Sequence, residues 1–378
     1  MPDSSWTTSK LSQLLSEVID YRGQSVPKSD HGVPLITARN VRDGYVDLSH
    51  KEYVAESEYD KWATRGFPKV GDILFTTEAP LGNIAPYPEG TFALGQRLVA
   101  LRTNDLIADS YLYQYLRSEI GKHQVNVRAS GSTAKGIKSS ELKKIAVNYP
   151  RYGTEQKKIA TILSTWDNAI NTTEKLLANS EKQKKALMQV VLGSPTKIIK
   201  NTRVVTLADL AVINPASEAS EELVTFLAMD AVSNNAEILR RELLEKAQLP
   251  TGCTKFQEND VLVAKITPCF ENGKGAFATE LKDGLGFGST EFHVIRAKAG
   301  VNPKLLFYVT QSHNFRFKGA ANMQGSSGHR RVPKDFLKTF RFTIPSTKEA
   351  QEGLTALFTT CDLEIKGHRK TIQILKQE

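Results

Sequence analysis

The chain has 378 residues, 40% of them hydrophobic and 24% charged, with a formal net charge of +9, which is length enough for two domains that each bury a core. No apolar run reaches the roughly 18 residues that a membrane span needs, and the opening MPDSSWTTSKLSQLL does not read as a signal peptide. Cys253, Cys269 and Cys361 stand apart, without the spacing of a zinc site or a disulfide framework, so a reducing cytoplasm is the expected compartment.

In chain order, SKLSQLLSEV is a short amphipathic segment, and VPLITARNVRDGYVDL is a strand running into a polar, irregular stretch. FPKVGDILFTT, from Phe67 to Thr77, has the pattern of a buried strand, and LGQRLVALR is a second one ending at Arg102. DSYLYQYLRSEI predicts a tyrosine-bearing helix. RASGSTAKGIK then reads as a loop of small and basic residues, and SSELKKIAVNYP as a short helix and a strand ending at Pro150. Next, Ile159, Ile162, Leu163, Trp166, Ala169, Ile170, Leu176, Leu177, Leu187, Val190 and Val191 form a helical stripe that narrows toward a coiled-coil seam. Thr154 suits the N-cap of this helix, and Gly193 with Pro195 its stop. Trp166, on the stripe, reads as a core residue, as do Trp62 and Tyr59.

The second half repeats this plan. VVTLADLAVI, LVTFLAMDAVSNNAEIL, FQENDVLVAKIT, FGSTEFHVIR and PKLLFYVTQSH follow in the same order, and QGSSGHRRVPKDFLKTFRFTIP ends at Pro345. Arg102 faces Arg296, Ile137 faces Val332, Leu142 faces Leu337 and Pro150 faces Pro345, at an offset of about 195 residues. In the second long helix Gln351, Phe358, Asp362 and Ile365 match Gln156, Leu163, Asp167 and Ile170, and Ser346 with Glu349 forms an S-x-x-E capping box. Residues 1–195 carry 25 basic and 21 acidic side chains and residues 196–378 carry 25 and 20, so both halves are mildly basic, as expected if both touch a polyanion.

One repeat of this length means two similar domains rather than a solenoid. The expected fold class is α+β: two similar mixed α/β domains, residues 1–153 and 194–345, each followed by a long helix, residues 154–193 and 346–378. At 1.5 Å per residue the helices run to roughly 57 and 45 Å, and the second stops about nine residues short of the first at the repeat offset. Helices so long and one-sided are expected to pack on each other as an antiparallel coiled coil, with a pseudo-twofold axis relating the domains.

The order of these segments resembles the specificity subunit (HsdS) of Type I restriction–modification systems. The resemblance rests on the paired GST…I…L…P and GSS…V…L…IP stretches, the E-Q-x-x-I…D opening of the spacer helix and KVGDILFT, and it covers nearly the whole chain. It implies two target recognition domains on double-stranded DNA, one for each part of a split, asymmetric sequence. It also implies spacer helices that dock methyltransferase subunits, a separate translocating restriction subunit, and neither cofactor nor catalysis in this chain. The same features fit a related two-domain recognition subunit that directs a different modification or antiphage enzyme, or a scaffold whose charge is incidental.

Basic residues among Gly, Ser and Thr let a backbone approach phosphates. Arg128, Ser132, Thr133, Lys135 and Lys138 are therefore the phosphate candidates of the first half, and Arg316, Lys318, Gln324, Ser326, Ser327, His329, Arg330 and Arg331 those of the second. For base edges, Arg or Lys addresses guanine and Asn or Gln addresses adenine. Arg39, Asn40, Arg42, Gln96 and Arg97 qualify in the first half, and Lys265, Asn272 and Lys274 in the second. The usual enzymes find no support. INPAS and EAPLGN are not methyltransferase N/D-P-P-Y/F motifs, ENGKGA lacks the first Gly of a P-loop, and His293 stands in a strand pattern with no partner at metal-ligand spacing.

Overall fold

The computed structural model describes residues 5–21, 25–131, 134–193, 199–216, 222–326 and 328–377. The chain divides into two compact units, Met1–Asn171 and Thr172–Glu378.

Unit 1 runs β1 (Trp6–Lys10), α1 (Leu11–Leu14), β2 (Leu15–Asp20), β3 (Lys28–Ser29), β4 (Val33–Ile36), β5 (Tyr53–Val54), α2 (Glu56–Trp62), β6 (Ile73–Thr77), β7 (Leu81–Pro86), β8 (Ala93–Leu94), β9 (Leu98–Thr103), α3 (Asp109–Arg117), α4 (Glu119–Arg128), α5 (Ser139–Leu142), β10 (Ala146–Pro150) and the start of α6 (Gly153–Gly193). The apolar strands β6 and β9 lie at the centre of an antiparallel sheet ordered β2-β9-β6-β7. β1 pairs with β10, and a small sheet ordered β3-β5-β4-β8 carries one parallel pair. Phe75, Val99 and Leu101 on one sheet face pack with Leu112, Leu116, Leu142 and Val147, while Leu74, Ala85 and Ala100 on the other face pack with Tyr21, Leu35 and Trp62. This is the period-two alternation of a sheet buried on both sides.

Unit 2 continues with the rest of α6, then β11 (Thr202–Thr206), α7 (Leu207–Leu210), β12 (Ala211–Ile213), β13 (Leu223–Leu227), β14 (Glu242–Glu245), β15 (Thr254–Gln257), β16 (Val261–Ala264), β17 (Gly275–Phe277), β18 (Leu285–Gly288), β19 (Phe292–Ala297), α8 (Pro303–Gln311), α9 (His313–Ala321), α10 (Lys334–Thr339), β20 (Arg341–Pro345) and α11 (Lys348–Gln377). Its sheets, β12-β19-β16-β17, the pair β11-β20, and β14-β13-β18-β15 with β13 parallel to β18, restate those of unit 1 strand for strand at the centre. The repeat in the sequence is a repeat of fold.

The same polar groups hold both copies together. Asp72, 1% exposed, takes a two-pronged bond from Arg102 at 2.8 and 2.7 Å, and Asp260, 2% exposed, takes one from Arg296 at 2.9 and 2.7 Å. Each aspartate also accepts a backbone N–H three residues upstream, from Lys69 and Gln257. Gln156 and Gln351 each donate to the last carbonyl of the preceding strand, Pro150 and Pro345, at 2.8 Å, so the entry of both long helices is tied down by one buried amide. In unit 1 Gln114 donates to Asp167 at 2.9 Å, and in unit 2 Tyr308 donates to Asp362 at 2.7 Å.

The part of α6 within unit 2 packs with α11. Glu174 pairs with Lys376, Glu181 with Arg369 and Lys184 with Asp362, while Ser180 donates to Glu364. The numbers rise on one helix as they fall on the other, so the pair is antiparallel. Met188, Val191 and Leu192 of α6 share a core with Leu354 and Phe358 of α11.

Four local expectations need correction. The helix after β9 is two helices, α3 and α4, because Ser118 is extended and caps the second by accepting from Gly121 N; Ser312 does the same for α9 through Phe315 N. Arg128, Arg316 and Lys318 therefore lie on helices, not in loops. The cap of α11 is Thr347, whose hydroxyl accepts from Ala350 N at 3.3 Å, rather than Ser346. Trp166 is 38% exposed, beside exposed Ile162 and Leu163; unit 1 uses the other face of α6, where Gln156, Ala160 and Asp167 meet the domain.

Candidate nucleic-acid interface

In unit 1 three segments are laced side by side. Thr77 N donates to Arg97 O at 2.8 Å, Ile137 N donates to Thr77 O at 2.9 Å, and Gly136 bridges both Glu78 and Ser130. Unit 2 repeats the lacing bond for bond. Lys265 N donates to Glu291 O at 2.8 Å, Val332 N donates to Lys265 O at 2.8 Å, and Arg331 bridges Ile266 and Gln324. Gly131 and Gly325 turn the two loops at φ of 114° and 118°, where a side chain is disfavoured. One backbone scaffold thus carries two sets of side chains. Thr77 answers to Lys265, Arg97 to Glu291, and Gly136 to Arg331.

The candidates separate on this scaffold. Arg97, Lys135 and Lys138 are exposed on the unit 1 edge, and Gly95, next to Gln96, donates to Ile36 O and so brings the Thr37–Arg42 turn alongside. On that turn Arg39 is exposed beside His50 at 3.3 Å, and Arg42 faces Asp47 at 3.6 Å. Asn40 is 1% exposed, and its amide is engaged at both ends with Thr37, Asp47 and His50, so it builds the turn. Gln96 is half-buried and Arg128 donates to Gln124 O within its own helix. Ser132, Thr133 and Ser327 lie outside the described residues.

In unit 2 Gln324, Ser326, His329 and Arg330 are exposed on the loop, with Arg330 reaching Glu271 at 3.2 Å, and Asn272 is exposed on the turn after β16. Arg331 is forked onto Glu291 at 2.7 to 3.2 Å, which holds the Glu291 carboxyl below its usual range. Lys265 lies half-buried close by, and burial pulls its pKa down. Lys274 donates to Met229 O, Lys318 lies over the Phe340 ring, and Arg316 is held by carbonyls away from the loop. These three brace the domain rather than the loop edge.

Sequence reasoning missed Glu291, the acid at the centre of the unit 2 edge, because the loop it serves lies 40 residues away. It also missed the work of His293. The imidazole bonds the Val332 carbonyl through Nε2 at 2.8 Å and the Asn214 amide through Nδ1 at 3.1 Å, tying β19 to the loop. A carbonyl partner requires Nε2 to be the donor, so Nδ1 accepts and the ring is neutral. Burial, reinforced by Lys265 and Lys334 and opposed by the bond to the Val332 carbonyl and by Glu291, lowers its pKa from 6.5 to about 4. An unfolded chain then binds the proton first, so this contribution is complete above pH 6.5 and lost as pH falls from 6.5 toward 4, amounting to about 3 kcal/mol. Urea unfolding of the parent chain and of His293→Gln tests this. The parent is expected to lose more stability by that margin between about pH 7.5 and about pH 4; parallel losses contradict it.

Among the described residues no three His, Cys, Asp or Glu side chains converge as metal ligands, and no helix is long and apolar enough to cross a membrane. Two α+β units of one plan, each with a long helix, and two matched loop edges with unlike side chains define a duplicated two-domain architecture. Residues 6–181 match the family model described as Type I restriction modification DNA specificity domain. The specificity subunits of the Type I restriction enzymes EcoAI and EcoEI of Escherichia coli are 35% identical over 164 residues and 30% identical over 186. These alignments span 42% and 48% of this chain but only 28% and 31% of those relatives. The solved S subunit of a Type I restriction–modification system from M. genitalium superposes with a TM-score of 0.64 at 11% identity, over 100% of this chain and 94% of that one. A chain from a structure of the type I R-M system in assembly and conformational transition gives 0.54 at 16%, over 98% and 95%. Residues 6–181 thus carry the sequence pattern of a Type I restriction modification DNA specificity domain, and the chain as a whole has the fold of the solved S subunit.

Proposed function

We propose that the chain is the sequence-reading, non-catalytic subunit of a cytoplasmic Type I complex. Residues 1–153 and 194–345 each read one part of a split DNA sequence, and helices 154–193 and 346–378 serve as spacer and as docking surface for methyltransferase subunits. Through those subunits a translocating restriction subunit joins. The observation that carries this reading is the pair of matched backbone edges bearing different charges: Arg97 in one stands where Glu291 stands in the other. A single scaffold with two side-chain sets is what an asymmetric target asks for, because phosphate contacts set position while side chains at base edges set sequence. Arg39, Arg97, Lys135 and Lys138 are the unit 1 contacts in this reading, and Asn272, Gln324, Ser326, His329 and Arg330 those of unit 2. Arg331 presents its loop through Glu291.

The test is methyl transfer to duplex DNA. The purified chain with methyl donor is expected to modify nothing, and adding its methyltransferase subunits is expected to give modification at a split sequence. Methyl transfer by the chain alone would remove the proposal.

A further inference from the structure

Unit 2 contains a cavity of about 1090 Å³ walled by α6, α8, α11 and the turn at Asn234–Glu237, apart from the loop edge. Ligand pockets run to roughly 300–1,000 Å³, so a nucleotide fits easily. Its three acidic residues are already answered: Arg369 takes Glu181 and Glu237, and Lys184 takes Asp362. Lys182, Lys185, Lys304 and Lys366 line the cavity with no ion-pair partner among the described residues. Behind them Arg316 donates to the carbonyls of Phe270, Gly273 and Lys274 and meets no carboxylate. Its Nε and the Nε2 of Gln311 are buried without a hydrogen-bond partner, and burial pulls the Arg316 pKa down to about 9. The Phe270 and Phe315 rings lie 4.9 and 5.8 Å from its guanidinium, but no carboxylate among the described residues pairs with it, and a desolvated cation without a counter-charge is costly.

Unit 1 shows what is missing. Ser118 and Ser312 cap their helices alike, so Arg117 corresponds to Gln311 and Lys122 to Arg316. In unit 1 Asp43 answers both cations, at 2.9 Å from Arg117 and 3.2 Å from Lys122, and the corresponding cavity, lined by Asp43 and Lys122, is only about 260 Å³. The unit 2 turn, closed by the Val232–Ile238 bridge as the unit 1 turn is by Val41–Val46, carries Asn234 and Asn235 there instead. The carboxylate is gone while the cation remains.

We propose that this cavity binds a free nucleoside di- or triphosphate, whose phosphates supply the negative charge that Asp43 supplies in unit 1. Four unpaired lysines match at least two phosphates. Phe277 and Phe307, with ring centroids 5.8 Å apart, offer aromatic surface for a base. The amides of Asn234 and Gln311 supply donors and acceptors for its edge. This site is independent of DNA reading.

Titration of the full chain with ADP, followed by calorimetry and thermal melting, tests the assignment. One saturable site is expected, displaced by pyrophosphate. Lys185→Glu with Lys366→Glu, both exposed-end lysines of the wall, is expected to weaken ADP by at least about tenfold. Asn234→Asp, which returns the carboxylate, is expected to raise the melting temperature of the ligand-free chain and abolish its response to ADP. No saturable binding at millimolar ADP overturns the proposal, as does an affinity unchanged in both variants. Displacement of ADP by a short DNA duplex overturns the free-nucleotide assignment.

Discussion

Asp260→Ala is expected to destabilise unit 2 by about 3–5 kcal/mol, the usual consequence of stripping one partner from a buried ion pair. The carboxylate is 2% exposed and takes both prongs of Arg296 as well as the Gln257 N–H. Removing it strips both prongs from the Arg296 guanidinium on β19 and the acceptor from the Gln257 N–H. Asp260→Asn keeps an acceptor for Gln257 and loses the charge, so it falls between the two. Urea unfolding combined with amide exchange in β16 and β19 reads the effect where it arises. Asp230→Ala, at an exposed pair with Arg240, is the control and leaves the midpoint in place, because surface ion pairs contribute little. Equal, small effects from both aspartates would contradict the ion pair's role.

The second large effect concerns DNA. Alanine at Lys135 and Lys138 together is expected to weaken duplex binding by about 60-fold at 0.1 M salt, since each lost phosphate contact is worth about 0.9 log unit per decade of salt below 1 M. The slope of log affinity against log salt falls in magnitude by about 1.8 for the same reason. Both side chains are exposed and make no hydrogen bond or ion pair among the described residues, so the melting temperature is expected to stay put. An unchanged salt slope in the double variant means that the unit 1 edge does not touch phosphate.

Much of the architecture was legible in the sequence because the chain states it twice. The match of FPKVGDILFTT with FQENDVLVAKIT pairs the buried aspartates Asp72 and Asp260, which hold the matched Arg102 and Arg296, and the offset that paired Gln156 with Gln351 finds two amides making the same bond. Asp167 and Asp362, matched by position, hold different partners, Gln114 and Tyr308, at the same place on the preceding helix. Helix breaks were less legible. Ser118 and Ser312 interrupt helical patterns with one extended residue each, and no Pro or Gly marks the break. The site was legible only in outline. Loop composition located both edges, but it does not tell a reader from a brace. Asn40 looks like an adenine reader until its amide is seen to be spent inside its own turn, and Arg316 looks like a loop cation although α9 carries it into the wall of a cavity. For Asn40 the distinction depends on how its own turn closes, and for Arg316 on carbonyls more than 40 residues away, which no local pattern encodes.

In the proposed function the two edges read independently. Sequencing the methylated adenines of cells that express the chain with its methyltransferase subunits tests this most directly, comparing the parent with variants in residues 134–138 and in residues 324–331. The expected result is a target of two blocks separated by a fixed gap, with the first set of substitutions altering one block and the second set the other. A single continuous target, or either set changing both blocks, would contradict it.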